Sequence, residues 1–355
     1  MNFMFFTRTD WNEPPRLRHQ LANLLVAQGH SVTFFQKPKY RLPAEEPVVS
    51  SSLQFRRYRQ LVNHQLKFIS PARWVDDVYL RGKIKSLTKE DSPDVIVNFN
   101  YDYHFLSNLF PGVPLIHIVN DDFVAGAIPL NRKSAWRLQE RTAQDAGRTL
   151  CVSYMLLDQL RTATPASGLF LPWARSPYTQ PPSGKVRDEV LSWGYINDRY
   201  DFDTAEQLLD SGMKINFFGS VTHSERTKKM LGHQNATYHG VADLKDISEV
   251  LARCSCSLLA YNANDDVVRC ITISNRGFEL LSFGLPLLYT ELPGLIKAPE
   301  GVIYRCSEVE DYRRAYRDAC DRFDSLQPGI QAFLEDHSPE RRYEQFMQVV
   351  ESLHS

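Results

Sequence analysis

The sequence predicts an α/β protein built from two Rossmann-like, doubly wound domains with parallel sheets. The chain has 355 residues, roughly twice the length of a typical domain. Short apolar runs alternate with segments of helical spacing in both halves, which is the pattern of successive βαβ units. Between the halves, residues 173–185 are rich in Pro, Ser and Gly and are typical of an interdomain linker.

The first predicted domain comprises residues 1–172. It begins with a strand at Asn2–Thr7, a helix at Arg16–Gln28 that ends at Gly29, and a strand at Ser31–Phe35. Continuous apolar runs are typical of parallel strands that are covered on both faces. Such runs predict further strands at Asp94–Phe99, Pro114–Val119, Thr149–Ser153 and Gly168–Pro172.

The second predicted domain, residues 186–337, repeats this alternation. Strands are predicted at Val190–Tyr195, Lys214–Phe218, Ala236–His239, Ser255–Ala260 and Pro286–Tyr289, and helices at Asp203–Gly212, Asp246–Ala252 and Asn275–Phe283. Residues 338–355 have helical spacing and predict a C-terminal helix that closes the chain and packs back on the first domain. Because doubly wound domains bind ligands at the carboxyl ends of their strands, we expect the functional site in a cleft that the two domains face.

Charge and cysteine content narrow the classes of function. The 41 Lys and Arg residues against 42 Asp and Glu give a formal net charge of -1, so nucleic-acid binding is not expected. The six cysteines include no CxxC pair at zinc spacing, and we expect no metal site and buried thiols. The N-terminal residues lack the pattern of a secretion signal, which favours a cytoplasmic location with reduced cysteines.

Residues 54–89 form the strongly basic stretch of the chain, and aromatic residues such as Phe55, Tyr58 and Trp74 are interleaved with the basic ones. One interpretation is a surface that contacts anionic lipid headgroups at the inner face of the membrane. The other is a pair of amphipathic helices with solvated charged faces. The sequence leaves both interpretations open.

The segment Ser274–Leu288 has the features of a phosphate-binding helix. Ser274 and Asn275 are typical N-terminal residues of a helix, Arg276 adds a cation in the first turn, and Glu279 follows one turn later. Exposed amides at a helix N-terminus together with a guanidinium favour a pyrophosphate group. The exit through Gly284-Leu285-Pro286 leads into a buried strand.

This segment resembles the donor-site helix of GT-B glycosyltransferases, in particular the bacterial group 1/4 enzymes. Many of those enzymes carry Pro-Asn-Lys, a downstream Glu and a Gly-x-Pro, and here Ser274-Asn275-Arg276, Glu279 and Gly284-Leu285-Pro286 stand in that order. The resemblance extends over nearly the whole chain. Its other parts are Pro14–Ala22, Gln28–Val32, Trp193-Gly194-Tyr195, Tyr200-Asp201-Phe202, Phe217-Phe218-Gly219, Tyr238-His239-Gly240 and Leu258–Tyr261.

The resemblance implies a sugar transfer without a cofactor or an obligatory metal, from a UDP- or GDP-linked sugar in the second domain to an acceptor in the first. Asn275 and Arg276 are then expected to hold the diphosphate, and Glu279 the ribose. Gly194 and Gly219 are expected to let the backbone approach the ligand, although both are also ordinary turn glycines. The remaining implied donor-site residues are Ser274, Tyr195, Ser220, His239, Gly240, Tyr261 and Arg269.

Two departures from the family pattern bear on the mechanism. Many retaining members have Glu-x7-Glu, and the first of those positions is Ile271 here. A His-Asp pair of related retaining enzymes is replaced by Asn120-Asp121. These losses favour inversion, in which Asp121 or Asp122 takes the proton of the acceptor hydroxyl. The structural alternative is that one of the two aspartates caps the next helix.

Acceptor-binding candidates follow the first and third predicted strands of the first domain. They are Asn12, Arg16, Arg18, Asp102 and His104. Arg16 and Arg18 suit an anionic acceptor such as a lipid diphosphate, and arginines on a solvated helix face are the alternative. The expected acceptor is a glycan, a lipid-linked sugar or another cell-surface polysaccharide.

Other functions with this architecture stay open on the sequence alone. A nucleotide-sugar epimerase needs a catalytic carboxylate and histidine, and a non-catalytic protein that binds nucleotide sugars needs neither. A dehydrogenase is disfavoured, because no G-x-G-x-x-G follows the first strand.

Overall fold

The computed structural model describes residues 1–41, 51–62, 66–242 and 244–354. It divides into two compact units. The first unit consists of Met1–Leu171 together with Arg342–Ser355, and the second unit consists of Pro172–Arg341. Each unit is a parallel sheet with helices, so the predicted fold class of two Rossmann-like α/β domains is confirmed.

The first unit contains a seven-stranded parallel sheet in the order β3-β2-β1-β4-β5-β6-β7. Its strands are β1 (Asn2–Phe6), β2 (Ser31–Phe35), β3 (Leu53–Arg56), β4 (Val95–Asn98), β5 (Leu115–Val119), β6 (Arg148–Cys151) and β7 (Ser167–Leu169). Its helices are α1 (Leu17–Ala27), α2 (Ser70–Leu87), α3 (Leu106–Leu109), α4 (Arg132–Gln144) and α5 (Tyr154–Arg161). Short 3-10 turns occur at Leu66–Phe68 and Pro129–Asn131.

The buried strands of the first unit explain why its apolar runs were recognisable. Every residue of β4 and β5 is buried, because helices cover both faces of the sheet. Strand β1 pairs with β2 in the register Asn2↔Ser31 to Phe6↔Phe35, and on its other side with β4. The strand order reverses between β1 and β4, which makes this position the topological switch point of the sheet. The loops that follow these two strands contain the predicted acceptor residues.

The second unit contains a six-stranded parallel sheet in the order β10-β9-β8-β11-β12-β13. Its strands are β8 (Glu189–Trp193), β9 (Lys214–Phe218), β10 (Ala236–Tyr238), β11 (Cys254–Leu259), β12 (Leu287–Thr290) and β13 (Ile303–Cys306). Its helices are α6 (Phe202–Asp210), α7 (Glu225–Leu231), α8 (Leu244–Leu251), α9 (Asp266–Arg269), α10 (Asn275–Ser282) and α11 (Val309–Asp336). Its switch point lies between β8 and β11.

The last helix, α12 (Pro339–His354), returns to the first unit from Arg342 onwards. Phe346 is fully buried, and its ring lies 6.0 Å from that of Phe3 and 5.9 Å from that of Phe170. The hydroxyl of Tyr343 forms a hydrogen bond of 2.8 Å with His30 Nε2. These contacts make α12 an integral part of the first unit.

The basic stretch 54–89 does not form the two amphipathic helices of the second interpretation. It contains the end of β3, the 3-10 turn and the single helix α2, while residues 63–65 lie outside the described residues. Strand β3 is half-buried at the edge of the sheet and lacks a long apolar run, which is why its sequence gave no strand signal. The 28-residue helix α11, which contains Pro328, and strand β13 were likewise not predicted.

The expectation of buried thiols is confirmed, since five of the six cysteines are buried and Cys320 is half-buried. Within the described ranges, no group of three or more His, Cys, Asp or Glu side chains is arranged to hold a metal ion. None of the helices described is both long enough and apolar enough to cross a lipid bilayer.

Candidate functional site

A cavity in the second unit lies at the carboxyl ends of β8 and β11, where the strand order reverses. Ligands of doubly wound folds bind at such switch points. The lining comes from the loop after β8, the end of β11, and the segment from α9 to the first turn of α10. The residues that line the cavity include Gly194, Tyr195, Asn197, Arg199, Tyr261, Ile271 and Arg276.

The guanidinium of Arg276 lies directly against the backbone of Gly194. A Cβ atom at position 194 would be 1.6 Å from Arg276 Nη1 and 2.1 Å from Cζ, so no other residue type fits there without displacing the arginine. Gly194 also has a φ of 152°, in the region that favours glycine. The resemblance implied that Gly194 lets the backbone approach the ligand; in the structure the group that lies against Gly194 is Arg276.

Gly219 lies against the same backbone from the other side. A Cβ atom there would be 2.0 Å from the carbonyl oxygen of Gly194. The amide of Gly194 donates to Phe218 O at 2.7 Å, and the amide of Gly219 donates to Gly240 O at 2.7 Å. Three glycine-containing loops thus pack closely at the ends of β8, β9 and β10, and they position the backbone beneath Arg276.

Helix α10 begins beside this glycine contact. Ser274 is its N-cap, and its hydroxyl accepts a hydrogen bond of 3.1 Å from the amide of Gly277. Asn275 and Arg276 occupy the first turn, and both are half-buried. The positive end of the helix dipole and the Arg276 guanidinium therefore lie together, which favours an anionic ligand group.

Glu279, for which the resemblance implies a ribose contact, pairs with residues 175–176 of the linker. Its side chain is 2% exposed. One carboxylate oxygen accepts from Ser176 Oγ at 2.6 Å, and the other accepts from the Arg175 amide at 3.0 Å. Arg175 Nε lies 3.5 Å away. Because a buried carboxylate must be paired, this geometry gives Glu279 the role of fastening residues 175–176 to α10.

The other predicted donor-site residues divide into two groups. Tyr195 and Tyr261 line the cavity. Ser220, His239, Gly240 and Arg269 are not among the residues that line it. The ring of His239 stacks on Phe218 at 4.3 Å and its Nε2 bonds to Asn216 at 2.9 Å, so it serves the packing of β9.

Sequence reasoning missed Arg199 and Asn197, which both line the cavity. The Asn197 side chain accepts from the Arg199 amide at 3.1 Å and shapes this turn. Their position in the loop directly after β8 was the available signal, since such loops form the ligand crevice. Ile271 also lines the cavity, so the position of the first Glu of Glu-x7-Glu is occupied by an apolar side chain next to Arg276.

In the first unit, Asp122 caps a turn after β5. Its Oδ1 accepts from the amides of Val124 at 3.1 Å and Ala125 at 2.8 Å, and the residue is buried. Asp121 is exposed, and its Oδ1 accepts from the Asp122 amide at 2.9 Å. Asp122 therefore caps this turn and not the next helix, which begins at Arg132.

The arginines at the start of α1 differ sharply in environment. Arg18 is 4% exposed, which corrects the alternative of a solvated helix face. Burial and the nearby Arg16 lower the pKa of Arg18 to about 10, while Asp121 opposes this shift. Arg18 and Asp121 are thus electrostatic neighbours. Arg16 and Asn12 are exposed, and Arg16 lies 3.6 Å from Glu13.

Asp102 and His104 are buried near the end of β4 rather than open to solvent. Arg8 Nη2 bonds to Asp102 Oδ2 at 2.8 Å, which compensates the buried carboxylate. Because Arg8 and Asp102 lie 94 positions apart, their pairing could not be recognised from the sequence. His104 Nδ1 accepts from Arg73 Nη2 at 3.1 Å. Burial, with Arg141 and Arg73, lowers the pKa of His104 to about 4, so its ring is neutral at pH 7.

Two Rossmann-like units with parallel sheets are the architecture of the GT-B fold, as the resemblance in the sequence implies. Residues 16–167 match the model of the family described as Glycosyltransferase Family 4. The chain therefore has the GT-B fold, and over residues 16–167 it is similar to Glycosyltransferase Family 4. In sequence, no curated protein matches it.

Solved structures with this fold align over nearly the entire chain. Sucrose-phosphate synthase from Thermosynechococcus elongatus is 13% identical, with a TM-score of 0.73 and coverage of 99% of this chain and 98% of that one. The apo lipopolysaccharide outer core galactosyltransferase WaaB is 11% identical, with a TM-score of 0.67 and 99% coverage of both chains. HepE from Anabaena in complex with UDP is 12% identical, with a TM-score of 0.67 and 99% coverage of both.

Proposed function

We propose that this protein is a glycosyltransferase that moves a sugar from a nucleotide-sugar donor to a glycan, a lipid-linked sugar or another cell-surface polysaccharide. The observation that carries the proposal is the Arg276 guanidinium, held against the Gly194 backbone at the start of α10 and lining the cavity of the second unit. A guanidinium and a helix N-terminus together suit a diphosphate. The acceptor is assigned to the first unit.

The donor is proposed to be UDP- or GDP-linked, and the solved complex of HepE with UDP favours UDP. Arg276 and Arg199 both line the cavity and supply two positive charges for a diphosphate. We propose that these cations stabilise the leaving nucleoside diphosphate and that the reaction proceeds without a metal ion or a cofactor. Full activity in a chelating buffer is the expected result.

The proposed stereochemical course is inversion. The side chain at the first Glu position is Ile271, which offers the anomeric carbon no carboxylate from that side. The exposed carboxylate of Asp121 takes the proton of the acceptor hydroxyl as that oxygen bonds to the anomeric carbon and the nucleoside diphosphate leaves. Asp122, whose Oδ1 is held by two amides, positions the turn that presents Asp121.

The test is a thermal-shift screen of UDP, GDP and ADP and their sugar conjugates, because a ligand that binds the folded state raises its melting temperature. The effective nucleotide is then titrated against Arg276→Gln, with Arg317→Gln as a matched control on the exposed face of α11. We expect an affinity loss of about 1.5–3 kcal/mol for Arg276→Gln only. Equal affinities of the two variants would remove Arg276 from the phosphate site.

Product analysis separates transfer from the two alternative functions. Slow release of free sugar and nucleoside diphosphate from the nucleotide sugar supports a transferase, since water replaces the acceptor. Conversion of the nucleotide sugar into an isomer would indicate an epimerase. Binding without any product, in the presence of candidate glycan acceptors, would indicate a non-catalytic binding protein.

A further inference from the structure

Helix α2 and the segment before it expose an unusual number of large apolar side chains. On α2, Trp74 is 68% exposed and Val78 is 51% exposed, and Val75 lies beside them. Leu61, Leu66 and Ile69 are also exposed in the segment that leads into the helix. Such clustering of apolar side chains on a surface marks an interaction site, whereas single exposed side chains are ordinary.

Hydrogen bonds hold this surface in place. The buried carboxylate of Asp76 on α2 accepts from the amides of Leu61 at 3.3 Å and Val62 at 3.2 Å. The Ile69 amide donates to Leu66 O at 2.9 Å in the 3-10 turn. The apolar side chains therefore belong to an anchored element of the first unit.

A cationic pocket adjoins the apolar side chains. Arg73, Arg81 and Arg141 line it together with Asp77, His104, Trp74 and Val78. Trp74, Val78 and Arg81 follow the helical spacing i, i+4, i+7, so the apolar and the charged groups share one face of α2. The pocket therefore has an apolar side and a cationic side.

Neighbouring side chains hold two of the three guanidiniums in place. Arg73 lies 3.4 Å from Asp77 and donates to His104 at 3.1 Å. The Arg81 guanidinium lies 5.3 Å from the centre of the Phe105 ring, a cation–π contact. Because His104 is neutral at pH 7, the three arginines face one carboxylate, and the pocket carries net positive charge.

We propose that this surface is a lipid-docking site, in which Trp74 and Val78 enter the interface of a bilayer while Arg73, Arg81 and Arg141 bind the phosphate of an anionic phospholipid headgroup. Tryptophan and arginine side chains suit this depth, since one end of each is apolar and the other polar. The amphiphilic ligand explains why the apolar and the cationic groups lie side by side. This proposal assigns a specific ligand to the basic stretch 54–89. It also includes Arg141, which lies outside that stretch, in the binding pocket.

The proposed docking site shares no residue with the cavity of the second unit. The docking proposal can therefore be tested independently of the proposed donor chemistry. It bears on the proposed function in one respect, because a docked enzyme meets lipid-linked acceptors at the membrane surface. The experiment therefore measures vesicle binding and UDP binding on the same samples.

The test is cosedimentation of the full chain with vesicles of phosphatidylcholine, with or without phosphatidylglycerol. Arg141→Gln and Trp74→Ser remove exposed side chains, and urea unfolding verifies that both variants fold. Matched controls are Lys228→Gln, an exposed cation of the second unit, and Leu130→Ser, an exposed leucine of the first unit. Wild type is expected to prefer the anionic vesicles, and raised salt is expected to reduce that preference.

We expect Arg141→Gln to weaken binding to the anionic vesicles by about five-fold, the value for one basic side chain near an anionic surface. Trp74→Ser is expected to weaken it by about five-fold or more, and both controls are expected to match the wild type. Equal binding of Arg141→Gln and Lys228→Gln would overturn the headgroup pocket. If inorganic pyrophosphate raises the melting temperature of the wild type but not of Arg141→Gln, and no vesicle binding is seen, lipid docking would be overturned in favour of a soluble anion in this pocket.

UDP binding distinguishes the two proposals. Unchanged UDP affinity with weaker vesicle binding in Arg141→Gln supports the docking site. Failure of the wild type to bind any nucleotide, with vesicle binding as described, would refute the proposed donor chemistry and leave the docking site supported.

Discussion

The role of Arg276 in diphosphate binding can be tested by adding a single methyl group at position 194, because Gly194 lies against the guanidinium. In Gly194→Ala, the new Cβ would be 1.6 Å from Arg276 Nη1, so the guanidinium must move away. If the guanidinium binds the diphosphate, its displacement removes a charge-assisted contact of about 1.5–3 kcal/mol. UDP affinity measured by calorimetry should then fall by roughly 10- to 150-fold.

Backbone strain has to be separated from this effect. Alanine at a φ of 152° is strained, which costs of order 1–3 kcal/mol of stability whatever the neighbours are. Gly212→Ala is the matched control, since Gly212 also has a positive φ, of 92°, and a Cβ there meets nothing within 4 Å. This control is expected to lower the melting temperature and to leave UDP affinity unchanged.

A double-mutant cycle makes the reasoning refutable. If Gly194→Ala acts by displacing Arg276, it should change UDP affinity little in an Arg276→Ala background, because the contact is already lost. Independent, additive losses of affinity would show that Gly194 and Arg276 act separately. That result would refute the displacement of Arg276 by Gly194→Ala, and an unchanged UDP affinity in Arg276→Ala alone would refute the assignment of the guanidinium to the phosphates.

Three further outcomes are expected. Asp121→Asn should lower turnover by about 100-fold or more with UDP affinity unchanged, and transfer kinetics near those of the wild type would exclude it as the base. Glu279→Gln should lower the free energy of unfolding in urea by about 1–3 kcal/mol and leave UDP affinity within about two-fold, whereas a ten-fold loss of affinity would restore the ribose role. Burial lowers the pKa of His117 to about 4 from 6.5, so the neutral ring stabilises the fold above pH 6.5 and this contribution falls as the pH drops towards 4. The loss is roughly 3 kcal/mol at most, and His117→Leu should reduce the acid dependence of urea unfolding.

Several of the strands that the sequence predicted best are wholly or almost wholly buried. Lys214–Phe218 was predicted with the bounds that β9 has, and β4 and β5 were predicted to within a residue or two. Buried parallel strands produce continuous apolar runs, so their local sequence carries the information. Strand β3 and helix α2 have mixed, half-exposed sequences, and their positions depend on the rest of the sheet.

The candidate site shows the same division between local and long-range information. The N-cap Ser274 and the glycines Gly194 and Gly219 follow from local rules about helix starts and backbone freedom. The partners of Glu279 are 103 and 104 residues away in the sequence, and Arg8 is 94 residues from Asp102. Pairings at such separations arise from tertiary packing, which no spacing pattern in a single sequence contains.

The return of α12 to the first unit has a consequence for biosynthesis. Phe346 fills a space beside Phe3 and Phe170, and its neighbour Gln345 donates to Leu169 O at 2.7 Å. On the ribosome, these residues emerge only after the whole second unit has been translated. The surface of the amino-terminal sheet that α12 covers therefore stays uncovered until these last residues have been synthesised.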